Sequence, residues 1–253
     1  MKQELKLSKM EEIRAAFKQQ VLGINSIALA AVAAGSGAYG GTLRKEMGAL
    51  APQVCAVIVY LAAEEAGLDM KHLKIVPKHF TTVYLTDANY LDVVNNDTAE
   101  YVVENIGSMY TKVESDIAIF YYDTFIHSIE CKKYADKTMT HRLALDCSML
   151  ARVYPTVTYS LFQFESGLMG DYHRDLEFYE GSPALHTALS CVTPKVNIDV
   201  FTLLDHKRVA GKSITNKGCF KPISMFKLNR TVEGYKDILL RQVDRKHLVL
   251  GCR

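Results

Sequence analysis

The stretch Asp116–Ile129, DIAIFYYDTFIHSI, carries the strongest strand signal in the chain. It is rich in β-branched and aromatic side chains, which favour the pleated, partly buried surface of a sheet. Shorter stretches of the same character predict further strands at 80–85, 156–164, 197–204, 223–228 and 247–250. We therefore expect a β-sheet to form the centre of the chain after residue 76.

The chain before this sheet has a helical pattern. Apolar residues recur at roughly helical spacing over 3–20, with charged and amide residues between them. These apolar residues are Leu5, Met10, Ile13 and Phe17. A second helix is predicted over 25–34. A third is predicted from Pro52 to Glu65, because proline is tolerated in a first turn and Gly67 can end a helix.

These elements predict an α+β fold, with an N-terminal helical region followed by a mostly antiparallel sheet with interspersed helices. An antiparallel sheet is favoured because only 97–111 and 137–154 have helical patterns among the strands, too few for regular crossovers. Residues 1–75 are predicted to be the helical region and 76–253 the α+β region. No flexible linker separates the two, so one continuous domain is the alternative.

The composition narrows the class of protein. The chain has 253 residues, of which 49% are hydrophobic, enough to bury a core and too many for a disordered chain. It has 30 Lys and Arg against 28 Asp and Glu, a net charge of +2. A charge this small excludes a dominant basic arm. Nucleic acid is therefore not indicated as a partner, although a local basic groove stays open.

The sequence predicts an intracellular, cytoplasmic protein without a membrane span. Acidic and basic residues alternate near the N-terminus, where a signal peptide would have an apolar core. The longest apolar run, Val21–Ala34, is shorter than the ~20 residues that cross a bilayer. The six cysteines are scattered without a CxxC motif, so we expect reduced thiols that are mostly buried.

A glycine-rich segment follows the second predicted helix. Gly35, Gly37 and Gly40 in GSGAYG match the GxGxxG pattern that lets a backbone approach a pyrophosphate. The preceding run is rich in alanine and favours a helix, whereas a dinucleotide site follows a strand. We favour a joint between two packed helices, and a nucleotide site at these three glycines is the alternative.

The triplet His173-Arg174-Asp175 is the candidate metal site. His173 and Asp175 form an HxD motif, which can supply two facial ligands to Fe(II). With a predicted strand before it and further strands after it, the region 156–253 resembles the double-stranded β-helix of 2-oxoglutarate-dependent oxygenases. That resemblance implies a second histidine about fifty residues further on, where this chain has Asn229.

No catalytic constellation is complete, and the net charge is near zero. We therefore predict a non-enzymatic, self-assembling structural protein, such as a virus- or phage-type shell (capsid) or nucleoprotein subunit. It would be a homo-oligomer, found in the cytoplasm or within a virus-like particle, with its N-terminal helix docked on a neighbouring copy. The alternatives are an Fe(II)/2-oxoglutarate-type oxygenase and a nucleotide-binding protein that uses the GSGAYG loop. Whether the chain is an enzyme, and which cofactor it would use, stays open.

Overall fold

The computed structural model describes residues 2–36, 38–84, 94–166, 189, 191–193, 196–204 and 212–250. Five α-helices lie in these ranges: α1 (Lys2–Ala33), α2 (Tyr39–Glu65), α3 (Asn96–Glu104), α4 (Lys137–Val153) and α5 (Met225–Leu250). Five strands accompany them: β1 (Leu73–Tyr84), β2 (Tyr110–Tyr121), β3 (Thr124–Ala135), β4 (Thr158–Ser166) and β5 (Ile198–Thr202). The predicted α+β class is confirmed, with helices at the N-terminus and others interspersed among the strands.

The five strands form one sheet in the order β1-β2-β3-β4-β5. The pairs β1–β2 and β2–β3 are antiparallel, whereas β3–β4 and β4–β5 are parallel, so the sheet is mixed. A parallel pair needs a crossover connection, and α4 supplies it between β3 and β4. The helix predicted over 137–154 therefore accounts for the parallel direction of β4 relative to β3.

The stretch that carries the strand signal folds as a hairpin of two strands. Tyr122 and Asp123 connect β2 to β3, with φ angles of 48° and 59°. A two-residue turn with both φ angles positive matches the right-handed twist of the strands it joins. The hairpin places residues 117–121 of the stretch beside residues 124–129.

Helix α2 begins earlier than predicted. It runs without a break from Tyr39 to Glu65, with Pro52 inside it. An interior proline removes one backbone hydrogen bond. The helix continues across Pro52 because Met47 and Leu50 lie on the same buried face as residues beyond it. The predicted end is confirmed, since Gly67 has a φ of 70° just after the last turn.

Helix α5 replaces two predicted strands. The segments 223–228 and 247–250 fall largely within Met225–Leu250, so both strand predictions are wrong. The reason is a buried helical stripe of Leu228, Val232, Tyr235 and Leu239, each 0% exposed. These residues recur every three or four positions, the spacing of one helix face.

Helices cover both faces of the sheet. One buried cluster joins α1, α2 and α5 to one face of the sheet. This cluster contains residues of both 1–75 and 76–253. The division of the chain into these two regions stays a prediction. A second cluster joins α4 to the other face. By length and composition α2 could cross a bilayer, but 56% of its most apolar stretch is buried inside the fold, as in a core helix.

The N-terminal helix packs on its own chain. Met10, Ile13 and Phe17 are 3%, 8% and 1% exposed. The Phe17 ring packs against the Phe164 ring, with 5.1 Å between the ring centroids. Leu5 is 59% exposed. The expectation that this helix buries all four side chains on a neighbouring copy is wrong, because three of them complete the intramolecular core.

Candidate active site

Strands β2 and β3 separate in the middle of the sheet. Their antiparallel pairing extends from the hairpin turn to Ile117 and Ile129. Beyond that pair, β2 stays bonded to β1 and β3 stays bonded to β4. Asp116 lies at the point of separation, and its Oδ2 accepts a hydrogen bond of 2.7 Å from the Cys131 backbone N–H. The backbone of β3 therefore fixes the carboxylate of a residue on β2.

Two residues of β3 complete a charged cluster with Asp116. Glu130 and Lys132 are two positions apart on the strand and share one face of the sheet. Lys132 Nζ lies 3.4 Å from Asp116 Oδ2 and also forms an ion pair with the Glu130 carboxylate. The side chains of Asp116, Glu130 and Lys132 are 22%, 21% and 31% exposed. The cluster is thus sheltered, yet a ligand can reach it from solvent.

The electrostatics of the cluster are unbalanced. Burial, followed by the charge of Asp116, raises the pKa of Glu130 to about 7, although Lys132 acts in the opposite direction. Burial alone would lower the pKa of Lys132, but attraction to Glu130 and Asp116 outweighs it and raises that pKa. The lysine therefore stays protonated, and one ammonium faces two carboxylates. Such a site attracts a further cation.

The donor set fits Mg²⁺ or a similar hard cation. Mg²⁺ is commonly held by one or two carboxylates, with water and substrate phosphate oxygens as the other ligands. Asp116 and Glu130 offer such oxygens, and a cation beside them would relieve the repulsion that raises the pKa of Glu130. Within the described residues, no group of three His, Cys, Asp or Glu side chains could enclose a metal. Two carboxylates leave the remaining positions around such a cation to water and to phosphate oxygens.

A buried polar network lies further along β3. The His127 ring makes contacts of 2.8 Å from Nδ1 to Thr158 Oγ1 and 2.9 Å from Nε2 to Ser160 Oγ. Ser160 also lies 3.4 Å from the Tyr235 hydroxyl, which is 3.5 Å from Cys55 Sγ. His127 is 0% exposed and Thr158 is half-buried, so this network links β3 to β4, α5 and α2 largely inside the fold.

Of the residues predicted as sites, the structure describes only Gly35 and Gly40, and neither belongs to the charged cluster. Gly35 follows α1 with a φ of 66°, and Gly40 lies in the first turn of α2, so helices flank the segment on both sides. Gly37, His173 and Asp175 lie outside the described residues. The nucleotide and metal assignments for these five positions stay predictions.

Sequence reasoning missed Asp116, Glu130 and Lys132. The available signal was an acidic residue on one strand, a two-residue turn, and Glu-Cys-Lys at alternate positions of the next strand. The stretch Asp116–Ile129 predicts strands from its composition, whereas Glu130 and Lys132 lie just beyond its end and far along the chain from Asp116. The register of the pairing is what brings the three side chains together.

Comparison with known proteins adds a functional relative. No family model matches the chain. The chain is 28% identical over 208 residues to the type II restriction enzyme DdeI of Desulfomicrobium norvegicum. The alignment covers 81% of this chain and 85% of the relative. A solved structure described as the native BbvCI A2B2 tetramer at low resolution aligns with 95% of this chain and 96% of its own, with 11% identity and a TM-score of 0.36.

These findings correct the predicted function. The prediction of a non-enzymatic shell, capsid or virion protein is wrong, because the relative that aligns with most of this chain is an enzyme. The alternatives given with it, an oxygenase and a nucleotide-binding protein, do not describe that relative either. The physical reason for the error is that no short segment of the sequence contains Asp116, Glu130 and Lys132 together, since the pairing of β2 with β3 brings them into one place.

Proposed function

We propose that this protein is a divalent-cation-dependent DNA endonuclease whose catalytic residues are Asp116, Glu130 and Lys132. One observation carries the proposal: Lys132 Nζ lies between the carboxylates of two strands at the point where the sheet opens. The likeness to a restriction enzyme over 208 residues supports it, since that alignment covers 81% of this chain.

Each residue has a role in hydrolysis of a phosphodiester. Water attacks the phosphorus and loses a proton to solvent, one ester P–O bond breaks, the leaving oxygen takes up a proton, and negative charge develops on the phosphate oxygens in the transition state. Asp116 and Glu130 would hold Mg²⁺, and a cation held there would polarise a phosphate oxygen and lower the pKa of a bound water. Lys132 stays protonated, so its ammonium offers a fixed positive charge where the negative charge develops. The Cys131 N–H keeps the Asp116 carboxylate in place.

The proposed activity sets the partner and the compartment. The substrate is duplex DNA. The proposed enzyme acts inside the cell, as the sequence predicts, and not within a virus-like particle. The described residues contain one Asp116–Glu130–Lys132 cluster, which would cut one strand at a time. Cutting both strands then requires a second copy of the chain or a second binding event, which supports a homo-oligomer.

Incubation with DNA tests the proposal. The purified protein is mixed with long phage DNA of varied sequence and Mg²⁺, and the products are separated on a gel. We expect discrete fragments, which EDTA abolishes. Asp116→Asn should lower the rate by about 100-fold or more, because a charged ligand becomes a neutral amide. Glu114→Gln is the matched control, since Glu114 lies exposed on the same strand.

The control variant should cleave at the wild-type rate. Absence of cleavage by the wild type with Mg²⁺ or Mn²⁺ on DNA of varied sequence would overturn the proposal. Cleavage by Asp116→Asn at the wild-type rate would remove Asp116 from the site.

A further inference from the structure

Helix α4 packs on the sheet next to the charged cluster. Leu143, Cys147 and Leu150 are buried in the same hydrophobic cluster as Ala118 of β2 and Ala135 of β3. Asp146 precedes Cys147 and has a side chain that is 26% exposed. The buried face of the helix thus fixes Asp146 between the hydrophobic cluster and solvent.

The charge of Asp146 acts on the proposed catalytic residues. Burial raises the pKa of Asp146, whereas the charges of Arg142 and then Lys132 pull it down. Asp146 in turn contributes to the raised pKa of Glu130. Asp146 therefore lies within electrostatic range of both β3 residues of the cluster.

Arg142 lies one helical turn before Asp146. Its Nε is 3.6 Å from Asp146 Oδ2, and its side chain is 82% exposed. Lys132, by contrast, is 31% exposed and faces two carboxylates. The Arg142 guanidinium thus has most of its surface in solvent, one helical turn from the carboxylate that interacts with Lys132 and Glu130. A planar guanidinium can bind a phosphate through two parallel hydrogen bonds.

We propose that Arg142, oriented by Asp146, binds a backbone phosphate of the DNA beside the bond that is cleaved. This inference rests on the proposed endonuclease function. Arg142 acts as a positioning residue, because it holds the strand without touching the reacting atoms. If the Arg142–Asp146 pair only supported the helix, Arg142→Ala would leave DNA binding unchanged.

The salt dependence of DNA binding separates these two roles. Binding of a fluorescein-labelled duplex cut by the wild type is measured by anisotropy in EDTA, between about 50 and 200 mM NaCl. Each phosphate contact contributes about 0.9 to the slope of log K against log salt. Arg142→Ala should lower the slope by about that amount, and Arg142→Lys should restore part of it because the charge remains. Arg152→Ala, in the last turn of the same helix, is the matched control and should keep the wild-type slope.

Steady-state cleavage gives a second readout. Arg142→Ala should raise KM several-fold more than it lowers kcat, because a positioning contact acts mainly on binding. An unchanged slope and an unchanged KM in Arg142→Ala, with a wild type that binds and cuts DNA, would overturn this inference alone. An equal fall in slope in Arg152→Ala would overturn it too, since the effect would not be specific to the pair with Asp146. A wild type that neither binds nor cuts DNA would instead refute the proposed function.

Discussion

His127 should make the fold sensitive to acid. The ring is fully buried between Thr158 and Ser160. Burial, followed by the charge of Arg241, lowers its pKa from 6.5 to about 3, although the contact with Thr158 acts in the opposite direction. The unfolded chain therefore takes up a proton as the pH falls below 6.5, whereas the folded chain stays neutral until about pH 3. Stability from this group is complete above pH 6.5 and is lost as the pH falls towards 3.

The size of this effect follows from the shift. Each pH unit in that window costs ~1.4 kcal/mol, so acidification to about pH 4.5 should cost ~3 kcal/mol. Other groups also titrate there, so His127→Gln serves as the reference, because glutamine can hydrogen-bond but cannot take up a proton. The free energy of unfolding is measured in urea for both proteins at about pH 7 and about pH 4.5. The wild type should lose ~3 kcal/mol more than the variant.

Equal losses of stability in the two proteins would refute this reasoning. An NMR titration of the wild-type His127 ring provides an independent readout if the variant does not fold. Its ring resonances should not titrate between about pH 7 and about pH 4.5. A midpoint near 6.5, the ordinary histidine value, would show that burial does not shift this group.

Two further substitutions test the packing around the sheet. Gly234→Ala should destabilise the fold by about 1–3 kcal/mol in urea, because a Cβ there would lie 2.5 Å from Cε1 of the buried Phe201. Gly23→Ala in α1 is the control, because a Cβ there would meet no neighbouring side chain within 4 Å. This variant should be as stable as the wild type or more stable. An equal change in the free energy of unfolding in the two variants would contradict the packing of Gly234 on Phe201. Lys221→Met should lower the free energy of unfolding by about 3–5 kcal/mol, because the Glu165 carboxylate, 1% exposed, loses the Lys221 Nζ that lies 2.6 Å from its Oε1. A loss of less than about 1 kcal/mol would contradict the stabilising role of this ion pair.

The parts of the fold that depend on local pattern were predictable from the sequence. The β-branched and aromatic composition of Asp116–Ile129 and the helical spacing over 3–20 are properties of neighbouring residues, and both predict the correct type of element. The strand predicted over 223–228 was wrong because six residues do not show the longer stripe that α5 buries. Pro52 suggested a helix start because a local rule takes no account of the buried face that continues across it.

The candidate site depends on long-range pairing, which no local pattern contains. Asp116 and Lys132 meet only because β2 and β3 form a hairpin and then separate beyond Ile129. The net charge of +2 likewise averages over the whole surface, so it does not show where one ammonium, that of Lys132, faces two sheltered carboxylates. The prediction of a shell protein followed from searching for motifs complete within short segments.

The single-turnover rate of DNA cleavage by Lys132→Met tests the central claim most directly. With enzyme in excess over DNA and Mg²⁺ present, this rate reports the chemical step and is insensitive to product release. The account predicts a fall of about 100-fold or more in a variant that is less stable than the wild type, because Asp116 and Glu130 lose their cation, but is still folded at the assay temperature by circular dichroism. Lys112→Met, an exposed lysine on β2, should cleave at the wild-type rate. Cleavage by Lys132→Met at the rate of the Lys112→Met control would contradict the account.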